Sequence, residues 1–326
     1  MNRAAASLPK PLLPMSWALF LPLLPIAALL PLALHLSRAG YRTPEEVPYW
    51  ALVFGLPHIV ASFQTACDRD YLACYGRRVL AVGALVVLPY ALYAAGLPKA
   101  WILNAFFLAT VVHVISQQYG IAFAAARLRP SPTTHACKWG TVALGTMAYA
   151  QAYLASEFSA SPAHAWLGVA AAWGRAPLLA LVAATAALLV WRARARRAGA
   201  LLLAANAALF LAGLVLVFDS PWPLAGLMLV RVLHDLTGFV VYLRHDGARN
   251  REVRRNPLYR VLPGLPVWLL GPAWALAIAA ALGWLAQRVE LAGWLILGLT
   301  AAHYGMERFI WKGGTPHRRH LSLSDA

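Results

Sequence analysis

LMLVRVLHDLTGFVVYLRHD, residues 227–246, is apolar enough to cross a bilayer and yet carries Arg231, His234 and Asp235 near its middle. Ionisable groups at that depth are costly, so they face a protein interior or a water-filled cavity and mark a working site. On a helix Arg231 lies one turn from Asp235 and three residues from His234, which predicts an internal ion pair that holds the carboxylate and orients the imidazole beside it. His245 follows eleven residues after His234, on almost the same face about three turns further along and near the membrane surface. The segment therefore reads as a membrane helix with a polar stripe turned toward other helices.

The rest of the chain supplies those helices. Of its 326 residues, 61% are hydrophobic and 12% charged, and the mean hydropathy is +0.61; soluble domains carry about twice that share of charge. Apolar runs of membrane-crossing length, about 17 to 25 residues, recur along the sequence. They predict about ten spans, near 15–37, 49–66, 79–96, 100–125, 139–157, 176–192, 199–218, 222–243, 266–286 and 290–311. The expected fold is an all-α polytopic transmembrane bundle of about ten helices, one integral membrane domain over residues 1–326 with no room for a long soluble domain.

The net charge of +16 suggests nucleic acid until its placement is examined. Alternate loops with the two termini collect 22 of the 28 basic residues; the other side keeps Arg38, Arg42, Lys99, Arg175 and Arg288, and Arg231 lies inside. The positive-inside rule then makes both termini and the 244–265 loop cytoplasmic, and the expected location is a bacterial inner membrane. Anionic lipid accounts for the charge; with no aromatic-interleaved basic module, no nucleic-acid partner is expected. Arg3 and Lys10 precede an apolar run too long for a secretory signal, which predicts a retained first helix. Cys67, Cys74 and Cys137 fall in loops on the reducing side, without a paired C-x-x-C, so neither disulfides nor a zinc framework is expected.

Polar residues recur inside the spans. In FGLPHIVASFQT (54–65) Pro57 is expected to kink the helix beside His58, with Ser62 one turn later. CDRDYLACYGRR (67–78) reads as a solvated turn. VVHVISQQYGIAF (111–123) puts His113 and Gln117 on one face, and LTAAHYGMERFIWKGG (299–314) does the same for His303 and Glu307. Gln151, Glu157 and Asn206 are adequately explained as packing or interhelical hydrogen bonds.

The second, fourth, sixth, eighth and tenth spans run the same way through the membrane, and four of these five carry a histidine. Counted from their outer ends, His58 is about 9 residues in, His234 about 12, and His113 and His303 about 13, which places all four within roughly 6 Å in depth at 1.5 Å per residue. Each has an oxygen-bearing companion: Ser62, Gln117, Asp235 and Glu307. Imidazole with carboxylate suits iron, and also zinc, copper or manganese. His35, His135 and His164 lie outside this pattern. His245, His317 and His320 stand at the inner mouth, where a histidine in a basic loop or tail is ordinarily solvated.

Gly55-Leu56-Pro57-His58, with three further histidines on separate spans, resembles the Brp/Blh-like family of polytopic membrane proteins, which includes non-haem iron carotene oxygenases. The chain is similar, more distantly, to membrane di-iron desaturases and hydroxylases, but their clustered HxxxH and HxxHH boxes are absent and HRRH (317–320) is only a fragment. The resemblance implies histidine-bound iron, dioxygen and a long apolar substrate entering from lipid, with His58, His113, His234 and His303 as ligands. The expected function is a metal-dependent oxidoreductase or oxygenase. Neutral imidazoles would hold non-haem Fe(II), with Ser62 and Gln117 beside the cofactor. Glu307 or Asp235 would supply charge balance, ligand orientation or proton transfer, and Arg231 would keep Asp235 ionised. An electron donor would act at the cytoplasmic face. Two other readings compete: a bis-histidine haem protein for electron transfer, and a transporter with a mid-membrane proton relay.

Overall fold

The computed structural model describes residues 18–43, 46–47, 55–157 and 162–321, with their side chains except those of 153–157 and 162–167. Among the described residues there are eleven α-helices and no strand: α1 (Leu23–Arg38), α2 (Leu56–Ala66), α3 (Arg69–Ala94), α4 (Lys99–Ala125), α5 (Pro132–Glu157), α6 (Pro162–Arg192), α7 (Arg197–Asp219), α8 (Pro223–Arg249), α9 (Val267–Ala286), α10 (Glu290–Ile310) and the short α11 (Pro316–Arg319). Six are long and apolar enough to cross a membrane: α3, α4, the Gly168–Arg192 part of α6, α7, α8 and α9. The architecture is thus a helical bundle suited to a membrane. Within the described residues each of the ten expected spans overlaps one helix, α1 to α10, and α11 is additional.

The outer surface fits a bilayer. Leu80 and Val87 of α3 are 77% and 63% exposed, which lipid tolerates and water does not. Exposed tryptophans stand near both ends of the bundle, Trp101 and Trp284 at one and Trp191 and Trp268 at the other, as in the aromatic belts of membrane proteins.

Helix α8, which contains residues 227–246, is the central element: most of its apolar stretch is buried, and α1, α2, α4, α7 and α9 all pack on it. Lipid is as apolar as leucine, so helices in a membrane associate through close backbone approach at small residues. Gly213 of α7 and Gly226 of α8 face each other in this way, a Cβ on Gly213 falling 2.8 Å from the Gly226 carbonyl oxygen.

Two stretches expected to be loops are helical. CDRDYLACYGRR is the end of α2 and the start of α3, because Asp68 caps α3 by accepting from the Asp70 N–H (2.9 Å), and because Tyr71 and Tyr75, one turn apart, are buried. Cys74 and Cys137 accordingly lie on α3 and α5; all three thiols are free, with Cys74 exposed and Cys137 buried. α8 continues past the expected 243 to Arg249, carrying His245 and Asp246 into the interior. The kink expected at Pro57 would involve residues 49–54, and both chain termini (1–17, 322–326) were assigned a side of the membrane; these segments, like the side chains of Glu157 and His164, lie outside the described residues.

Candidate metal centre

Four helices enclose the site and pack as a ring: α2 lies against α8 and α10, and α4 also lies against α8 and α10. Each contributes one histidine, and the imidazoles repeat the helix order. His58 meets His234 (ring centroids 5.0 Å) and His303 (4.7 Å), and His113 meets the same two (5.1 Å each). One ring nitrogen from each lies within 4.8 Å of those of the other three. Two nitrogens bound to one ion at about 2.0–2.1 Å are at most about 4.2 Å apart, so a small contraction would bring all four onto a single ion.

The hydrogen bonding fits that reading. Both ring nitrogens of His58, Nε2 of His113, Nδ1 of His234 and Nε2 of His303 are buried with no hydrogen-bond partner. Each such atom costs about 1–3 kcal/mol if it stays unsatisfied, and a protein does not ordinarily gather several of them in one place. One bond from each imidazole to a shared metal would satisfy four of these five nitrogens together. The orientation of His303 is fixed from behind: its Nδ1–H donates to Ser62 Oγ (2.9 Å), whose own O–H donates to the Ile59 carbonyl (2.6 Å). This network leaves Nε2 as a bare lone pair facing the other imidazoles, the arrangement by which an outer hydrogen bond sets the tautomer of a metal-binding histidine.

Glu307 closes one side of the ring. Its Oε2 lies 3.2 Å from His113 Nε2 and 3.6 Å from His303 Nε2 and accepts from Gln117 Nε2 (2.6 Å). Its Oε1 accepts from Tyr242 O–H and from Trp311 Nε1–H (3.3 Å). Three donors hold a buried carboxylate whose negative charge would offset that of a cation beside it.

The structure thus brings together His58, His113, His234, His303, Ser62, Gln117 and Glu307, with partnerships that cross between helices: Ser62 serves His303 and not His58 on its own helix, and Gln117 serves Glu307. Arg231 and Asp235 stand 3.9 Å apart, at the limit of an ion pair, and Asp235 is not part of the mutually close group. The Arg231 guanidinium also lies beside Gly55, where a Cβ would lie 2.9 Å from Nη2. Three contributors went unread in the sequence. Gly238 forms a notch filled by the His58 ring, which a Cβ there would overlap; a glycine one turn after His234 was the available signal. Tyr242 and Trp311, two and one turns from His234 and Glu307, have that helical spacing as their only signal in the sequence.

Two of the three histidines at the mouth are not solvated, and the third, His320, is half-buried. His245 and His317 are both 0% exposed and stack on each other (4.8 Å, 14°), and His320 meets His245 edge-on (5.9 Å). The tail folds back because Tyr71, Tyr75 and Trp311 give the His317 ring three aromatic neighbours. Burial, reinforced by the neighbouring His245, pushes the His317 imidazole down to about 2.

No family model, no curated protein and no solved structure matches the chain. The likeness to the Brp/Blh-like family therefore rests on the Gly55–His58 motif and the dispersed histidines alone, and the functional reading rests on the geometry.

Proposed function

We propose that this protein is a ten-span bundle of a bacterial inner membrane, with both termini cytoplasmic, that holds a non-haem transition metal, iron, on His58, His113, His234 and His303 and acts as an oxidoreductase or oxygenase on a lipophilic substrate. The observation that carries it is the convergence of four imidazole nitrogens within 4.8 Å, one from each of four helices, where each imidazole has a buried nitrogen without a hydrogen-bond partner and Glu307 is the acid beside them. Bound there, the metal supplies one-electron redox chemistry and an open position for a small oxidant such as dioxygen.

The chain's own residues then do the following. Ser62 holds His303 in the tautomer that presents Nε2. Glu307 balances positive charge and is itself kept in place by Gln117, Tyr242 and Trp311. Gly238 admits the His58 ring. A reductant would act at the basic end of the bundle. The bis-histidine haem reading fits less well: a porphyrin needs a clear plane between its two axial imidazoles, and here every imidazole has two others about 5 Å away around the ring.

Metal analysis and an optical spectrum of the purified protein test the proposal together. Iron at about one ion per chain without a Soret band is the expected result. A Soret band would establish haem, and a folded chain containing no transition metal after growth in iron-replete medium would favour the proton-relay transporter.

A further inference from the structure

Tyr71 lies at the basic end of the bundle, outside the four-imidazole site, in a hydrogen-bonded series that has no role in holding a metal. His245 Nδ1 lies 2.8 Å from Asp246 Oδ1. Asp246 also accepts from Thr65 Oγ1 (3.1 Å) and from Tyr259 O–H, so its carboxylate serves only as acceptor and His245 Nδ1 carries the hydrogen. The other nitrogen, Nε2, is then the acceptor for Tyr71 O–H at 2.9 Å. Carboxylate, imidazole and phenol are thus lined up so that the phenolic proton has a base to go to and the base has an anion behind it.

Such a series activates a hydroxyl for work on a substrate only if substrate can reach it. Tyr71 is 2% exposed and covered by the His317 ring (centroids 3.8 Å) and the Arg249 guanidinium (4.9 Å). Nucleophilic and acid–base chemistry on a bound molecule is closed to it. Loss of an electron is not, because an electron leaves through packed rings. From Tyr71 the aromatic contacts run through His317 to Trp311 (5.5 Å), from Trp311 to Tyr242 (5.3 Å) and from Tyr242 to His58 (5.8 Å). Trp311 and Tyr242 are the two residues that donate to Oε1 of Glu307.

We propose that Tyr71 is a redox-active tyrosine, joined to the four-imidazole site by the Tyr71–His317–Trp311–Tyr242 column. The oxidant is of the class of a one-electron-accepting metal ion held by the four imidazoles, so the proposal rests on the functional reading for its physiological partner. In the step, one electron leaves the Tyr71 phenol and reduces that ion by one. The phenolic O–H bond breaks, and its proton forms the Nε2–H bond of a His245 imidazolium, which Asp246 stabilises. The neutral phenoxyl left on Tyr71 carries no charge to repel Arg249. The reverse electron movement returns the proton to the phenol.

The test does not need the metal. The full-length chain carrying 3,5-difluorotyrosine at position 71 is oxidised by flash-generated tris(bipyridine)ruthenium(III), and the radical is read by electron paramagnetic resonance. Fluorine splitting of the tyrosyl signal is expected; an unsplit signal puts the radical on other tyrosines and overturns the proposal. His245→Gln removes the base and should cut the yield of the split signal roughly 100-fold, the lower end of what a positioned base contributes; an unchanged yield would remove His245 from the step. Metal analysis of the same preparation keeps the two ideas apart. A split signal in a chain unable to bind metal sinks the proposed function alone, and a loaded site with no split signal sinks the tyrosine alone.

Discussion

Gly238→Ala adds one methyl group at the place where the His58 ring sits in the notch of α8. The new Cβ would overlap Cε1 and Nδ1 of that ring, and ordinary separation between such atoms is about 3.5–4.0 Å. The imidazole must retreat on the order of 1 Å, because the alternative is to push α2 away from α8. It has little freedom to turn, being held edge-on between His234 and His303. Overpacking of this kind costs about 1–3 kcal/mol, and the gain in helix propensity from Gly to Ala returns about 1 kcal/mol, so the bundle should survive with a slightly lower thermal midpoint. The metal site should not, because ligand distances are tolerated within only about ±0.2 Å. Metal content per chain and thermal unfolding, measured on the same detergent-solubilised sample, should show near-complete loss of the first with a modest fall in the second. Gly247→Ala, on the same helix with nothing within 4 Å of the new Cβ, should leave metal content unchanged. A Gly238→Ala protein that loads metal like the parent would refute the placement of His58 as a ligand.

Ser62→Ala removes the acceptor behind His303 and should weaken metal affinity about 10–100-fold while costing only about 1 kcal/mol of stability; competition with a chelator reads the first, and unchanged affinity would dissociate Ser62 from the site. His317 gives a pH dependence. In the unfolded chain its imidazole takes up a proton as pH falls through 6.5, whereas the folded one stays neutral down to about 2. Folding stability should therefore fall with pH across that window, by at most about 1.4 kcal/mol per pH unit for one proton. His317→Phe should flatten the slope measured by thermal unfolding; a slope unaltered by that change would mean other groups set it. Cys74, exposed at the basic end, should react with an impermeant maleimide in inverted vesicles and not in intact cells. Buried Cys137 should react in neither, and labelling of Cys74 in intact cells would reverse the orientation.

The helices and the meeting of the four histidines were legible because both follow from distances along the chain. A count of residues from each span's outer end fixes depth, and four histidines at one depth on same-direction helices can meet only with one another. Rotation about each helix axis is not in that count. Ser62 therefore appeared beside His58, its neighbour one turn away, whereas packing of α2 on α10 turns it toward His303. Spacing does bring Arg231 and Asp235 into ion-pair range, but that the guanidinium also lies beside Gly55, just ahead of α2, follows only from packing. The inner cluster was misread for a different reason. RHD at 244–246 and HRRH at 317–320 are locally polar, and only the return of the tail onto Tyr71, Tyr75 and Trp311 makes a dry place for two imidazoles. The early start of α3 was readable in principle, since Asp68 is a good N-cap.

Metal K-edge X-ray absorption on the purified, iron-loaded protein tests the central claim most directly, because it reports on the atoms around the ion. Four imidazole rings should appear as nitrogen scatterers near about 2.0–2.1 Å with the outer-shell pattern of the ring carbons, and His113→Ala should reduce that number by one or empty the site. A first shell of sulfur, of oxygen alone, or of porphyrin nitrogens would contradict a centre built from His58, His113, His234 and His303.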